Sequence, residues 1–589
     1  MESTKREPGA QGEHPGTEPV TLENQGRPRT DWIVYGVTAV LSAAFVIWGM
    51  ADTGSLSSAA QSTLDWLLAN VGWLFVLAAT GFVIFSLWLA FSRYGRIPLG
   101  QEGDEPEFRT VSWIAMMFSA GMGIGLMFFG IAEPLTHFVE PPPGTDPAQS
   151  EAAIETAMAT TMFHWTLHPW SIYAVLGLAI GYSHYRRGRS QLISSAFVPL
   201  LGRRHAEGSV SKLIDILALF ATLFGSAASL GIGALQIRTA MQEAGWISSL
   251  GTTVLVLIIL VLTICFILSA VSGVARGIQW LSNINMVLAA FLAVFVFVVG
   301  PTVFILELLP TSIGVYIQDF GEMASRSGAT GGEPMKTFLA NWTIFYWAWW
   351  ISWAPFVGMF LARISRGRTI RQFVGGVILV PSVVSLVWFA IFGGTAIHQQ
   401  HDGLNPFGNG SEEQITFNVL GNLPWEVLTA IVVMVLVAIF FVSGADAASI
   451  VMGTLSQRGN PGPSRWVVIF WGAMTGGVAA IMLVIGGDKA LNGIQNITFI
   501  GALPFAIVLI LLCFSLAKDL RSDPMMRRQN KGAEVLEDAV VTGVRRHRGD
   551  FELQIQPSEA SPDDAGPRVP LRKEGAAPED TVRRSDGSS

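Results

Sequence analysis

Between Asn341 and Phe356 the chain carries Trp342, Trp347, Trp349, Trp350 and Trp353, five tryptophans in twelve residues. Interfacial aromatic belts use tryptophan at the ends of membrane spans, whereas these lie deep within an apolar run. Trp349 and Trp353 are spaced i, i+4 and Trp350 and Trp353 i, i+3, so each pair shares a helix face. Pro355 removes a backbone donor and favours a break nearby. A second aromatic segment runs from Phe163 to Tyr173, where Trp165, Trp170 and Tyr173 can line one wall of a pocket. Ring faces attract a quaternary ammonium through their quadrupoles, with about 0.5–1 kcal/mol per exposed ring and about 2 or more when desolvated. Three or four rings suffice without a buried anion. A simple cation would favour a carboxylate counter-ion; a zwitterion brings its own. The acids within apolar runs are Asp215, Glu307 and Asp446, and none falls in the aromatic segments.

Other candidates surround these. Ala120-Gly121-Met122-Gly123-Ile124-Gly125 places three glycines in five residues, each costing a helix about 1 kcal/mol relative to alanine. Such a stretch reads in two ways. It is either a break that presents carbonyls to a cation, or a place where small residues let helices pack closely. His164 and His168 have the i, i+4 spacing of a metal pair. No further ligand, Cys or acid, is expected nearby, and hydrogen-bonded helix packing is the better reading. Cys265 and Cys513 lie inside apolar runs and read as small packing residues. No nucleophile, metal set or phosphate loop appears, so an enzymatic reaction is not expected.

The elements that hold these residues must be membrane helices. Of 589 residues, 51% are hydrophobic and only 14% charged, and mean hydropathy is +0.47. Soluble domains are about 25% charged, so this chain cannot cover a water-facing surface. Runs long enough to cross a bilayer lie at 32–51, 72–92, 111–131, 158–183, 213–237, 252–275, 283–309, 338–362, 372–394, 425–453, 465–485 and 498–517. Arginines cluster in loops 93–110 and 184–212 and at 363–371, while loops 52–71, 132–157 and 395–424 contain no Lys or Arg. This alternation places the basic loops and both termini in the cytoplasm. Residues 311–325 alternate polar and apolar types and are expected to lie on the outer membrane surface. Residues 1–31 show no signal peptide and, with 556–589, read as disordered. The mixed charges of 517–555 read either as an anionic-lipid contact or as a solvated tail.

Together, the glycine segment and the two aromatic segments resemble the betaine/choline/carnitine transporter family, above all its sodium-coupled glycine betaine carriers from actinobacteria. The tryptophan-rich segment 341–350 matches the family signature. The resemblance implies an all-α integral membrane fold of the leucine-transporter type, with two five-helix inverted repeats after two extra helices. The corresponding divisions are 1–31 (N-tail), 32–110 (extra helices and loop), 111–310 (first repeat), 311–337 (surface helix and loop), 338–517 (second repeat) and 518–589 (C-tail). It implies a substrate cage of Trp165, Trp170, Tyr173, Trp349, Trp350 and Trp353, with Met122, Gly123 and Gly125 beside it. One sodium site would use Thr222, Ser226 and Phe356. A second would use Ser119, Met122, Phe440 and two consecutive hydroxyl residues, but this chain has Ser443 followed by Gly444, so one side-chain ligand is missing.

The resemblance further implies a homotrimer in the bacterial inner membrane, in contact with lipid, with no nucleic-acid partner. Choline-type relatives place an acid where this chain has Gly125, which favours a zwitterion. The implied activity is sodium-coupled import of glycine betaine or a similar compatible solute for osmoprotection, with sodium as the coupling ion and no other cofactor. Alternatives are a sodium-independent exchanger, a carrier of carnitine, choline or ectoine, and a membrane sensor that binds betaine without moving it. Proton coupling would need a buried titrating group, for which Asp446 is the strong candidate.

Overall fold

The computed structural model describes residues 29–553 apart from 122, 207, 248–250, 273–274, 409–411, 487–489 and 549, and of residues 118–121, 270–272, 275–282 and 490 it describes the backbone alone. The described residues divide into a unit ending at Met526 and a second beginning at Arg527. The expected disordered segments, 1–31 and 556–589, fall almost wholly outside the described residues.

The first unit is built of helices. Those of ten or more residues are, in chain order, α1 (Trp32–Ala51), α2 (Thr53–Phe91), α3 (Thr110–Gly121), α4 (Ile124–Val139), α5 (Glu151–Trp165), α6 (Leu167–Gly181), α7 (Ser209–Glu243), α8 (Thr252–Ser272) and α9 (Ala275–Val299). There follow α10 (Thr302–Ser325), α11 (Gly328–Phe338), α12 (Phe345–Ile364), α13 (Ile370–His401), α14 (Glu412–Gly421), α15 (Glu426–Ser456), α16 (Arg465–Gly486) and α17 (Ala490–Arg521). A π-helical turn, Leu339–Ile344, joins α11 to α12. The last helix, α18 (Pro524–His547), makes up most of the second unit's described residues. The protein is an all-α integral membrane protein. Among the described residues, ten helices are long and apolar enough to cross a membrane.

The helices start where sequence supplies a cap. Asp31 accepts from the backbone of Ile33 and Val34 at the start of α1, and Ser150 accepts from Ala153 at the start of α5. Thr369 and Gln372 form a reciprocal capping box at the start of α13.

Several expected boundaries are corrected. The loop 52–71 is helical and belongs to the 39-residue α2. Asp52 caps it, and Leu56, Ala60, Leu64 and Leu67 recur at helical spacing and are buried. At about 1.5 Å per residue α2 is far longer than the roughly 30 Å hydrocarbon layer. Three expected spans are not single long helices. The run 111–131 is divided between α3 and α4, 158–183 is divided at Thr166, and 283–309 stops at Val299 before Gly300-Pro301. Residues 311–325 are helical but form the second half of the 24-residue α10, which begins at Thr302. By length and composition α10 counts among the ten candidate spans. Parts of loop 132–157 are also helical, because α4 runs on to Val139 and α5 begins at Glu151.

The arginine-bearing loops meet at one end of this unit. Arg186 donates to both oxygens of Asp523 at 3.0 Å and to the Gly100 carbonyl at 3.2 Å. Arg187 and Arg189 pair with Asp519 at 2.9 and 2.6 Å. Arg368 donates to the Phe108 carbonyl at 3.0 Å, and Leu99 donates back to the Arg368 carbonyl. Loops separated by hundreds of residues but alike in charge thus lie together.

Candidate functional site

Three helix interruptions place the aromatic residues. The first is the gap between α3 and α4, where Gly123 is extended and caps α4. The second is Thr166, whose backbone leaves the helical region between α5 and α6. Pro169 explains it: it has no N–H for the Trp165 carbonyl, and its ring clashes with that carbonyl in a regular helix. The third is the π turn before α12, a local feature common at functional sites.

These elements converge on a cavity of about 60 Å³ lined by Gly123, Gly125, Trp165, Trp170, Tyr173, Trp349, Trp350 and Trp353, with Ser229 of α7 and Ser385 of α13. All six expected cage rings and both described glycines therefore share one chamber. Met122 lies outside the described residues. Trp349 and Trp350 stack with centroids 4.7 Å apart, and Trp165 meets Trp350 edge-on at 4.9 Å. A Cβ on Gly125 would stand 2.6 Å from Trp349 Cη2 and 3.1 Å from Trp165 Cη2, so only glycine admits both rings.

Four of the five indole donors are bound by protein acceptors. Trp165 Nε1 donates to Glu133 Oε2 at 2.6 Å, and Trp349 Nε1 to Ser229 Oγ at 3.1 Å. Trp350 Nε1 donates to the His164 carbonyl at 3.1 Å, and Trp353 Nε1 to the Gly225 carbonyl at 2.8 Å. With these donors satisfied by protein, their rings offer the chamber carbon edges and faces.

A second cavity of about 240 Å³ shares Gly123, Ile124, Ser229, Trp353 and Val357 with the first. Ser226, Phe356, Phe440, Ser443 and Gly444 line it. Five of the residues expected at the two ion sites, from both sets, thus sit around one space. Thr222 lies one turn from Ser226 on α7 but is fully buried, with its hydroxyl donating to the Ala218 carbonyl at 2.8 Å. Ser119 is described by backbone only, within α3. Ser443 Oγ donates to the Ile439 carbonyl at 2.8 Å, and a Cβ on Gly444 would meet nothing within 4 Å. Sequence reasoning missed Asn285, which lines the same cavity, is 2% exposed, and has no hydrogen-bond partner for either amide atom among the described residues. Its one local signal, that an amide inside an apolar helix is costly without a role, is shared by Asn283. A third cavity, of about 190 Å³, shares Phe356, Phe360 and Ala447 with the second and reaches Arg363 and Gln191. The cavities therefore run from the aromatic chamber toward the arginine-rich end.

On the opposite side of Trp165 the expectation for the histidines is corrected. An acid is nearby: Glu133, with His137, gathers around His164, the three ligand atoms lying within 4.8 Å of one another and fully buried. Glu133 Oε1 lies 2.7 Å from His164 Nδ1 and 3.5 Å from His137 Nε2, while Oε2 accepts from Trp165 and, at 2.5 Å, from the Tyr346 hydroxyl. Neighbours on all sides already occupy this carboxylate. His168 does not join the cluster; it stacks on Trp347 at 4.6 Å and approaches Thr80 Oγ1 at 3.3 Å. Glu133 escaped notice because proximity to His164 across 31 positions has no local pattern.

A polytopic helical membrane protein with an aromatic chamber at its helix breaks, continuous with further cavities toward one end, has the architecture of a transporter. The chain belongs to the betaine/carnitine/choline family of transporters, whose model matches residues 33–525. It is a multi-pass membrane transporter and not an enzyme. It is 46% identical to the betaine/ectoine transporter LcoP of Corynebacterium glutamicum, over 93% of this chain and 87% of that protein. It is 43% identical to the glycine betaine transporter OpuD of Bacillus subtilis, over 86% of this chain and 96% of that one. Glycine betaine transporter 1 of Vibrio parahaemolyticus is 37% identical over 83% and 94%.

Proposed function

We propose that this protein imports glycine betaine, or a zwitterion of similar build such as ectoine, by sodium symport, and so protects the cell against osmotic stress. One observation carries the substrate reading. Five indoles line a small chamber, and four of them, Trp165, Trp349, Trp350 and Trp353, commit their N–H to protein acceptors. Such a chamber suits a trimethylammonium head, which donates no hydrogen bond and is held by ring faces. The names of the relatives, betaine and ectoine carriers, agree with that chemistry.

The ion reading rests on the hydroxyl-bearing cavity beside the chamber, with Ser226, Ser443 and Asn285 on its walls and Thr222 one turn from Ser226. Two sodium ions moving with a neutral zwitterion carry two charges, for which the membrane potential supplies about 4.6 kcal/mol per 100 mV. That corresponds to roughly a 2,000-fold gradient, against roughly 50-fold for one ion. Gly444, in place of a second hydroxyl, bears on which applies. We place the termini in the cytoplasm and the protein in the inner membrane as a trimer, on the charge alternation and the family resemblance.

The test is uptake of labelled glycine betaine into proteoliposomes with an inward sodium gradient, or with potassium in its place. Uphill uptake in sodium alone supports the reading. Equal exchange in both buffers would replace it with sodium-independent exchange, and binding without counterflow would replace it with a sensor.

A further inference from the structure

We infer that Glu133 is a positioning residue for substrate recognition: its charge, delivered through the Trp165 N–H, makes that indole a stronger partner for a quaternary ammonium. The inference rests on the aromatic chamber being the betaine site, as proposed above.

The geometry has two faces. Toward the chamber, Trp165 presents its ring beside Trp350 and Gly125. Away from it, the same indole donates to Glu133 Oε2 at 2.6 Å. An indole N–H only donates, so that oxygen is an acceptor, and it accepts from the Tyr346 hydroxyl as well, the double acceptance that suits an ionised carboxylate oxygen. Neighbouring hydrogen bonds polarise one another in a low-dielectric interior. Density withdrawn from the N–H proton returns to the ring, whose face becomes more negative. That is the quantity a quaternary ammonium reads.

Glu133 also serves the other rings. The Tyr346 hydroxyl donates to the same oxygen at 2.5 Å, and Tyr346 lies parallel to Trp350 at 5.7 Å. His164, 2.7 Å from Oε1, supplies the carbonyl that accepts from Trp350. The carboxylate is fully buried and has the aromatic ring between it and the chamber. It can therefore favour a cation without becoming a counter-ion that a bare metal ion or amine would contact. This offers a way to select a delocalised cationic head without an acid in the pocket.

The experiment measures binding of glycine betaine and of its carbon isostere, tert-butylacetate, to the full-length protein in saturating sodium. The ratio of the two affinities isolates the head-group charge from shape and from the carboxylate. Glu133→Gln keeps an acceptor for Trp165 and removes the charge. The ratio is expected to fall about threefold or more, a modest share of the cation–π range, while isostere binding stays as it was. In a Trp165→Phe background, which has no N–H, Glu133→Gln should leave the ratio unchanged. A ratio untouched by Glu133→Gln overturns the inference, as does an equal fall in both backgrounds, which would mean the charge acts through space. Should Glu133→Gln fail to fold, Tyr346→Phe removes the competing donor on Oε2, and the ratio must then rise; no rise counts against the inference. If the wild-type protein binds both compounds alike or neither, the betaine reading fails with this one. If the wild type prefers betaine and Glu133→Gln keeps that preference, only this inference fails.

Discussion

The aromatic chamber and the cavity beside it share Gly123, Ile124, Ser229, Trp353 and Val357, yet they differ in what their walls offer. In the chamber four of the five indole N–H groups are bound to protein, to Glu133, Ser229 and the carbonyls of His164 and Gly225. In the neighbouring cavity Asn285 keeps both amide atoms without a partner among the described residues, and Ser226 and Ser443 bring hydroxyls. The two arrangements suit two kinds of cation. A trimethylammonium group is poorly hydrated and gains from ring faces. A small hard cation leaves a tight hydration shell and needs oxygen atoms in exchange. Side by side, the two spaces would let the proposed symporter hold an organic cation and a coupling ion without either occupying the other's place.

The largest effect that would break this comparison comes from the rings. Trp350→Leu is expected to weaken glycine betaine affinity about thirtyfold or more, on about 2 kcal/mol for a desolvated ring. Sodium binding in the absence of substrate should be nearly unchanged. Binding titrations of each ligand alone would show it; a matched loss of both would mean that the two spaces are one site.

Gly125→Ala tests the same wall from behind. Its methyl group would lie 2.6 Å from Trp349 Cη2, so the ring must move. Overpacking of this kind costs about 1–3 kcal/mol, and betaine affinity should fall about tenfold with the sodium dependence intact. Uptake at the wild-type half-saturation would show that the ring position is not critical.

The ion cavity is sharpened by adding rather than removing. A Cβ on Gly444 would meet nothing within 4 Å, so Gly444→Ser can place a hydroxyl there without a clash. It is expected to lower the sodium concentration for half-maximal uptake about threefold, on the roughly 0.5–1.5 kcal/mol of one added polar contact. Ser443→Ala should raise it by a similar factor. Sodium-activation curves insensitive to both would remove this cavity from the ion path.

Much of this was legible in the sequence because the signals are local. Five tryptophans in twelve residues, three glycines in five and a His-Pro pair announce a special segment without any contact map. Most span positions followed from hydropathy, though not where Thr166, Gly123 or Gly300-Pro301 interrupts a run, and the grouping of arginine loops followed from charge. Contacts across the chain were not legible. Glu133 reads as an acid at the end of an apolar run, and its partners His164, Trp165 and Tyr346 stand 31, 32 and 213 positions away. Asn285 follows Ser282 and Asn283 at the start of an apolar run, where nothing local sets it apart; only the cavity around it does. The length of α2 was hidden for another reason: 52–71 is polar in composition, and only its residues 56, 60, 64 and 67 carry the helical stripe.

The smallest expected effect on transport lies at the other end of the molecule, where charge is used for structure. Asp523 accepts from Arg186 Nε and Nη2, from the Tyr182 hydroxyl at 2.8 Å and from the Met525 backbone at 2.8 Å. Burial alone would raise its pKa, but those hydrogen bonds and the Arg186 charge outweigh burial and hold the carboxyl below its ordinary value. A carboxyl whose folded pKa is depressed adds stability that is complete above its unfolded pKa, about 3.9, and that disappears as pH falls through the folded value. The wild-type melting temperature should therefore fall as the buffer is taken below about pH 4. Asp523→Asn should melt lower at neutral pH, and the gap between the two proteins should close on acidification. Betaine uptake at neutral pH should stay within about twofold of wild type, since nothing in this cluster lines the chamber or the ion cavity. A gap that stayed constant with pH would mean that Asp523 contributes by shape, and a large loss of uptake would tie the arginine-rich end to the transport cycle itself.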